Sequence, residues 1–272
     1  MSRKPVARGF YPFEEEGLEN EIKTLLEKAP ERTMEPKGLI VPHAGYRFSG
    51  ETAAHAYKTL RDRELKNAII LGFNHSGIGE KAALSTQTWE TPLGDIPINK
   101  KLSGQLLKND LIKEDETAHE KEHSIEVQLP FLKYMYPDIE IVPISLSNQL
   151  KKEEMKEISE LLKSIEYKEN ILIASSDLNH VGARFGLTPK QENLEYLEKE
   201  DKEFIEDIKN LEIQEIIEKG KKSTICGFIP IAVALETLKE KIKKAEVLHR
   251  SNSYEATGNT SSVVGYASIA LY

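Results

Sequence analysis

Continuous apolar runs alternate along the chain with longer, amphipathic stretches. Gly38-Leu39-Ile40-Val41 reads as a short strand closed by Pro42, and Asn67-Ala68-Ile69-Ile70-Leu71-Gly72 as a second, buried strand. Ala82 to Ser85, Ile139 to Leu146, Asn170 to Ala174, Glu246 to His249 and Ser262 to Tyr272 are further strands. Ser49 to Leu60 reads as a helix, with Ser49 as its cap and Ala53, Ala54 and Tyr57 on one face. Helical patterns also cover Asn99 to Lys108, Glu122 to Met135, Lys151 to Ile165, Glu192 to Lys209 and Glu212 to Gly220. Ile225 to Leu238 is a more apolar helix and is expected to be the better buried. Pro130 predicts a kink inside its helix, because proline removes a backbone donor and crowds the preceding turn.

Strands without polar alternation are covered on both faces, and helices between them serve as crossovers. The expected architecture is one α/β domain over residues 1–272, with three layers and a largely parallel or mixed sheet flanked by helices. The terminal strands are expected as antiparallel additions.

Composition narrows the function classes. At 272 residues, with 39% hydrophobic and 30% charged residues, the chain has ample material for a core. A net charge of −8 argues against a nucleic-acid surface, and the lysines at 239, 241, 243 and 244 are interleaved with glutamate as on a solvated helix face. One cysteine excludes an intramolecular disulfide and fits a reducing compartment. Met1 to Pro12 holds no apolar run of signal-peptide length, and no stretch approaches the roughly 20 apolar residues of a membrane span. A soluble, cytoplasmic protein without membrane or nucleic-acid partners is expected.

The chemistry concentrates beyond strand ends. His43 follows Leu39–Val41, His75 follows Ala68–Gly72, and Asp177 and His180 follow Ile171–Ala174. In an open α/β sheet the carboxyl ends of parallel strands border the crevice where ligands bind. Any one of these histidines alone is better read as a loop residue bonding a backbone carbonyl. Three of seven in the same context shift the balance towards a site. Cys226 opens the apolar helix in Thr224-Ile225-Cys226-Gly227, where a helix N-terminus favours thiolate. By position alone, a small buried hydrophobe is the commoner role for such a cysteine. His123 and Glu126, three apart in Glu122-His123-Ser124-Ile125-Glu126, would share a helix face and bind or support a metal. A polar helix start with a capping role fits them equally well. His55, His119 and His249 carry no such context and are expected to be structural. There is no phosphate-binding glycine loop, dinucleotide fingerprint, His-Glu-x-x-His or Gly-x-Ser-x-Gly motif.

Together, Val41-Pro42-His43-Ala44-Gly45-Tyr46, Glu122-His123-Ser124-Ile125-Glu126 with Leu129-Pro130, Ser175-Ser176-Asp177 with His180, and Thr224-Ile225-Cys226-Gly227 resemble the Memo family. Val6-Ala7-Arg8-Gly9-Phe10-Tyr11-Pro12 is similar to its N-terminal signature, so the resemblance runs from about residue 3 to the C-terminus. It implies a fold like that of class III extradiol, LigB-type dioxygenases. It implies a metal site of His43, His75 and Cys226, with Asp177 and His180 lining the pocket and His123 and Glu126 supporting it. His180 would act as the acid/base, with Asp177 orienting it. The chain departs from the family in Phe73-Asn74 before His75 and Val181 after His180, which bears on pocket shape.

Cysteine stands where the dioxygenases have a carboxylate, and two imidazoles with a thiolate form a softer set. That set suits one Fe(II) or copper ion, with Zn(II) as a further option. Three functions follow as alternatives: redox or oxygen-dependent chemistry on an unknown small molecule, a non-catalytic peptide- or protein-binding adaptor, or copper or iron handling. The resemblance also implies a possible pathway shared with radical-SAM and AMMECR-type proteins, the AmmeMemoRadiSam set.

Overall fold

Alternate residues of each apolar run feed opposite sides of one sheet, so two cores form, and this is why the runs lack polar positions. A computed structural model describes residues 2–182, 185 and 193–272. Met1 and Glu192, which the sequence reading placed at the N-terminus and at a helix start, lie outside those residues. The strands are β1 (Ser2–Arg3), β2 (Gly38–Val41), β3 (Asn67–Phe73), β4 (Ala82–Leu84), β5 (Thr88–Trp89), β6 (Lys113–Glu114), β7 (Glu140–Leu146), β8 (Asn170–Ser175), β9 (His180–Gly182), β10 (Ala245–Asn252) and β11 (Ser262–Leu271). The helices are α1 (Glu15–Lys28), α2 (Tyr46–Lys58), α3 (Lys100–Leu106), α4 (Leu129–Met135), α5 (Lys152–Lys163), α6 (Asn193–Lys209), α7 (Ile213–Gly220), α8 (Phe228–Leu238) and α9 (Ser253–Thr257).

The main sheet has the order β10-β11-β2-β8-β3-β7-β4-β6, with β9 paired to β11, and β1 pairs β5 separately. Strands β2, β8, β3 and β7 are mutually parallel, whereas β4 against β7 and β11 against β2 are antiparallel. The C-terminal strands β10 and β11 are the expected antiparallel additions. Leu39, Val41, Ile70, Ile171 and Ile173 pack on one face with α1, α2 and α4. Ile40, Ile69, Leu71, Leu172 and Ala174 pack on the other with α5, α6, α7 and α8.

This topology sets the site. Helix α2 carries the chain from β2 to β3 across the first face. Strand β8 lies between those two, and the chain leaves it for α6, α7 and α8 on the second face. Where neighbouring connections diverge in this way, a crevice opens beyond the strand ends.

Short strands β1, β5, β6 and β9 and helix α9 were not expected, and four further helices differ from the sequence reading. Helix α1 was not expected; it buries Leu18, Ile22 and Leu25 on one stripe amid glutamates and lysines. Helix α2 starts at Tyr46 rather than Ser49, because Gly45 caps it and the Ser49 hydroxyl donates back to the Ala44 carbonyl at 3.1 Å. The helix expected from Glu122 begins only at Leu129, after one 3-10 turn over Glu126–Gln128. Pro130 therefore sits in the first turn, where its missing N–H breaks no helical bond, and no kink arises. Helix α8 starts after its cap Gly227, so Cys226 precedes it.

His119 is fully buried, and its Nε2 lies 3.1 Å from the Ala83 carbonyl. Burial outweighs that bond and holds its pKa at about 4, against 6.5 for an ordinary histidine. The unfolded chain therefore takes up this proton first. Stability from the neutral ring is complete above pH 6.5 and is lost as pH falls towards 4, by about 3 kcal/mol near pH 4.5. In urea unfolding at about pH 7 and pH 4.5, His119→Gln should lose roughly 2–3 kcal/mol less than the wild type between the two conditions. Equal losses would contradict this role for His119.

Candidate metal centre

Strands β2, β3 and β8 end side by side, and the residues just beyond them form one polar cluster. His43 is 1% exposed. Its Nδ1 lies 3.0 Å from the Ser175 hydroxyl, at the last residue of β8. That hydroxyl has one proton and donates it to the Ser124 carbonyl at 2.6 Å, while it accepts from Gln128 Nε2 at 2.8 Å. It can therefore only accept from His43, which places the ring proton on Nδ1 and the lone pair on Nε2. Nε2 faces the Cys226 sulfur at 3.2 Å. Gln128 is itself held by Tyr57, whose hydroxyl donates to Gln128 Oε1 at 2.7 Å.

His75 is oriented by a carboxylate. Its Nδ1 lies 2.9 Å from Glu122 Oε1, and its backbone N–H donates to Glu122 Oε2 at 2.7 Å. Glu122 thereby holds the Nδ1 side of His75 and turns Nε2 towards Cys226, the arrangement by which a carboxylate orients a metal-binding imidazole. Burial alone would lower the His75 pKa, but hydrogen bonds to Cys226 and Glu122 outweigh it and push it up to about 10. The Cys226 thiol is raised by burial, with His75 opposing. The expected thiolate-favouring helix terminus is absent, since Cys226 lies before the cap of α8.

The cysteine reaches the cluster through a close backbone approach. The Gly227 N–H donates to the Ser176 hydroxyl at 3.0 Å, and a Cβ at Gly227 would stand 2.4 Å from the Ser176 Cβ. Only glycine lets residue 226 come so near the end of β8.

His123 also joins the cluster. Its ring stacks on His75 with centroids 4.7 Å apart and meets His43 edge-on at 5.4 Å. One nitrogen from each of His43, His75 and His123 lies within 4.8 Å of the others. Burial pushes His123 down to about 4 and His43 well below the usual range, so both rings are neutral and their lone pairs are available at neutral pH.

Glu126 does not share the His123 face, because the 3-10 turn turns it away. Its carboxylate accepts from Arg3 Nη1 at 2.7 Å, Val6 N at 2.9 Å, Ala7 N at 2.9 Å and the Tyr11 hydroxyl at 2.7 Å. It thereby anchors the N-terminal segment whose Phe10 packs on His123 with ring centroids 4.6 Å apart. Glu126 thus supports the pocket at one remove.

Asp177 and His180 also divide differently from expectation. Asp177 Oδ1 accepts from the backbone N–H groups of His43 at 2.8 Å and Ala44 at 3.2 Å, and so shapes the His43 loop. His180 is positioned instead by Thr224, whose carbonyl lies 3.1 Å from Nδ1 and whose hydroxyl accepts from the His180 backbone N–H at 2.7 Å. Burial lowers the His180 pKa and raises that of Asp177. Glu122, Ser175 and Thr224 lay within the quoted motifs but, like Gln128, were given no role by the sequence reading. Their polarity beside buried runs was the available signal.

The donor set fits a metal ion. Bonds of about 2.0 Å to nitrogen and 2.3 Å to sulfur at a tetrahedral angle place the two ligand atoms about 3.5 Å apart. The 3.2 Å between His43 Nε2 and Cys226 Sγ is close to that span.

Fold and cluster together define a class: α/β proteins with a group of histidines that could hold a metal ion beyond the carboxyl ends of a mixed sheet. The family model for the Memo-like protein matches residues 3–270, and the chain belongs to that family. A MEMO1 family protein of Methanosarcina mazei is 37% identical over all of this chain and 99% of its own length. One from Thermoplasma volcanium is 37% identical over 99% of this chain and 98% of its own. Among solved structures, the uncharacterized protein JW3007 of Escherichia coli K12 has a TM-score of 0.57 at 14% identity, covering 86% of this chain and 99% of that one. That likeness shows a common α/β fold. Among the described residues, no helix is long and apolar enough to cross a membrane.

Proposed function

We propose that His43, His75 and Cys226 hold a single metal ion, Fe(II) or copper with Zn(II) also compatible, and that the centre supports redox or oxygen-dependent chemistry on a small molecule. The observation that carries this reading is the 3.2 Å approach of Cys226 Sγ to the lone-pair nitrogen of His43. When bound, the ion would supply Lewis acidity or electron transfer at a position that three protein ligands leave open. His43 and His75 orient their Nε2 atoms through Ser175 and Glu122; His43 is buried, whereas His75 stands at the solvent-facing side of the cluster. His180, held by Thr224 rather than by Asp177, supplies a ring nitrogen to take or give a proton near the cluster.

A second reading keeps the site but changes one ligand. The grouping of His43, His75 and His123 nitrogens within 4.8 Å favours a three-imidazole centre with the sulfur beside it. Calorimetric titration separates the two. Cys226→Ser should weaken binding at least tenfold, on the order of 1.4 kcal/mol, while His123→Ala leaves it little changed. An unchanged Cys226→Ser protein with a weakened His123→Ala protein would replace the sulfur with His123. Turnover is read as oxygen consumption by the loaded protein with a reductant, with His43→Ala as the control.

A further inference from the structure

Histidines 55 and 249, which the sequence presents as structural, meet on the opposite side of α2. Glu51 and His55 are one turn apart on α2, and His249 lies on β10. One ligand atom from each of Glu51, His55 and His249 lies within 4.8 Å of the others, and the two rings sit 4.2 Å apart. Three features suit this group to a cation. His55 Nδ1 is buried without a hydrogen-bond partner, and a buried orphan lone pair calls for an occupant. His249 Nδ1 is engaged at 2.9 Å by the Thr52 hydroxyl, which in turn lies 2.6 Å from the Ser251 hydroxyl. That is the outer support that fixes a ligating imidazole and frees its Nε2. Finally, the pairing of β10 with β11 shifts between Val247 and His249, a bulge of the kind that re-aims a side chain.

We propose that Glu51, His55 and His249 form a second metal site, selective for a borderline divalent ion of the zinc class. Two imidazoles and a carboxylate are a common three-residue set for Zn(II) and leave a position open. Glu51 and His249 line a groove of about 680 Å³ between α1, α2 and β10, so the open position faces solvent. Among the described residues, the competing ion pair is Lys28 with Glu51 at 3.5 Å, between two half-exposed side chains, and it yields at little cost. The site joins α2 to the β10 bulge and is independent of Cys226.

Titration with Co(II), as a spectroscopic stand-in for Zn(II), tests this in full-length protein. The wild type should take up two equivalents. One gives a sulfur-to-metal charge-transfer band from Cys226, and the other gives ligand-field bands alone. In Cys226→Ser the second set should persist. In His249→Ala and in Glu51→Gln, a change at an exposed carboxylate that leaves the fold intact, the second equivalent should weaken at least tenfold while the charge-transfer band stays. Zn(II) should raise the unfolding temperature of Cys226→Ser, and that rise should be clearly smaller in Cys226→Ser/Glu51→Gln. A single equivalent in the wild type that carries the charge-transfer band, or a second equivalent of unchanged affinity in Glu51→Gln, would overturn the proposal.

Discussion

Glu126→Ala is expected to destabilise the protein by about 3–5 kcal/mol, the largest single-residue effect on stability in this account. Glu126 is 0% exposed and its partner Arg3 is 6% exposed, so the change leaves a buried guanidinium without its counter-charge. Arg3 cannot simply leave. Its Nε donates to the His119 carbonyl at 3.0 Å and its Nη2 to the Glu122 carbonyl at 2.6 Å, and the guanidinium lies 4.0 Å from the Trp89 ring centroid. The N–H groups of Val6 and Ala7 and the Tyr11 hydroxyl would lose their acceptor as well. Urea unfolding of Glu126→Ala measures the loss, and a change within about 1 kcal/mol would show that the network contributes little. Replacing Arg3 and Glu126 together by Met and Leu should recover much of the stability, because the cost lies in the uncompensated charge.

Glu122→Gln should lower metal affinity by about 10–100-fold with the fold retained. The Glu122 carboxylate receives His75 Nδ1, the His75 backbone N–H, and the backbone N–H groups of His123 and Ser124 at 2.9 Å each. Burial on its own would raise its pKa, but His75 and these donors bring it down to about 2. It therefore stays ionised and fixes the His75 tautomer. The amide offers one acceptor oxygen in place of two and sets an NH2 group against an N–H donor, so His75 loses its anchor. Calorimetry of Glu122→Gln beside the wild type gives the ratio. Equal affinities would mean that His75 is not a ligand, or that its orientation is set elsewhere.

The strands were legible because their signal is local. Leu39 to Val41, Ala68 to Leu71 and Ile171 to Ala174 are apolar at every position, and each run maps onto a strand with both faces covered. The position of His43, His75 and Asp177 beyond those runs was equally local, and parallel pairing of β2, β8 and β3 brings the three ends together. Contacts that depend on the path between elements were not legible. A helical reading of residues 122–135 paired His123 with Glu126, but a single 3-10 turn parts them and makes Glu122 the carboxylate of the site. The family resemblance had Asp177 orienting His180, whereas β9 carries His180 towards Thr224 and Asp177 bonds the His43 loop. His55 and His249 meet only because β10 closes the sheet beside α2, which no spacing along the chain reveals.

Two imidazoles and one sulfur sharing a metal ion beyond the ends of β2, β3 and the approach to α8 would give that ion a mixed nitrogen and sulfur shell. X-ray absorption at the zinc edge tests it most directly, on His249→Ala protein loaded with one equivalent of Zn(II) so that the α2 site does not contribute. One sulfur at about 2.3 Å with nitrogens at about 2.0–2.1 Å is the predicted result. A shell of nitrogen and oxygen alone would contradict it.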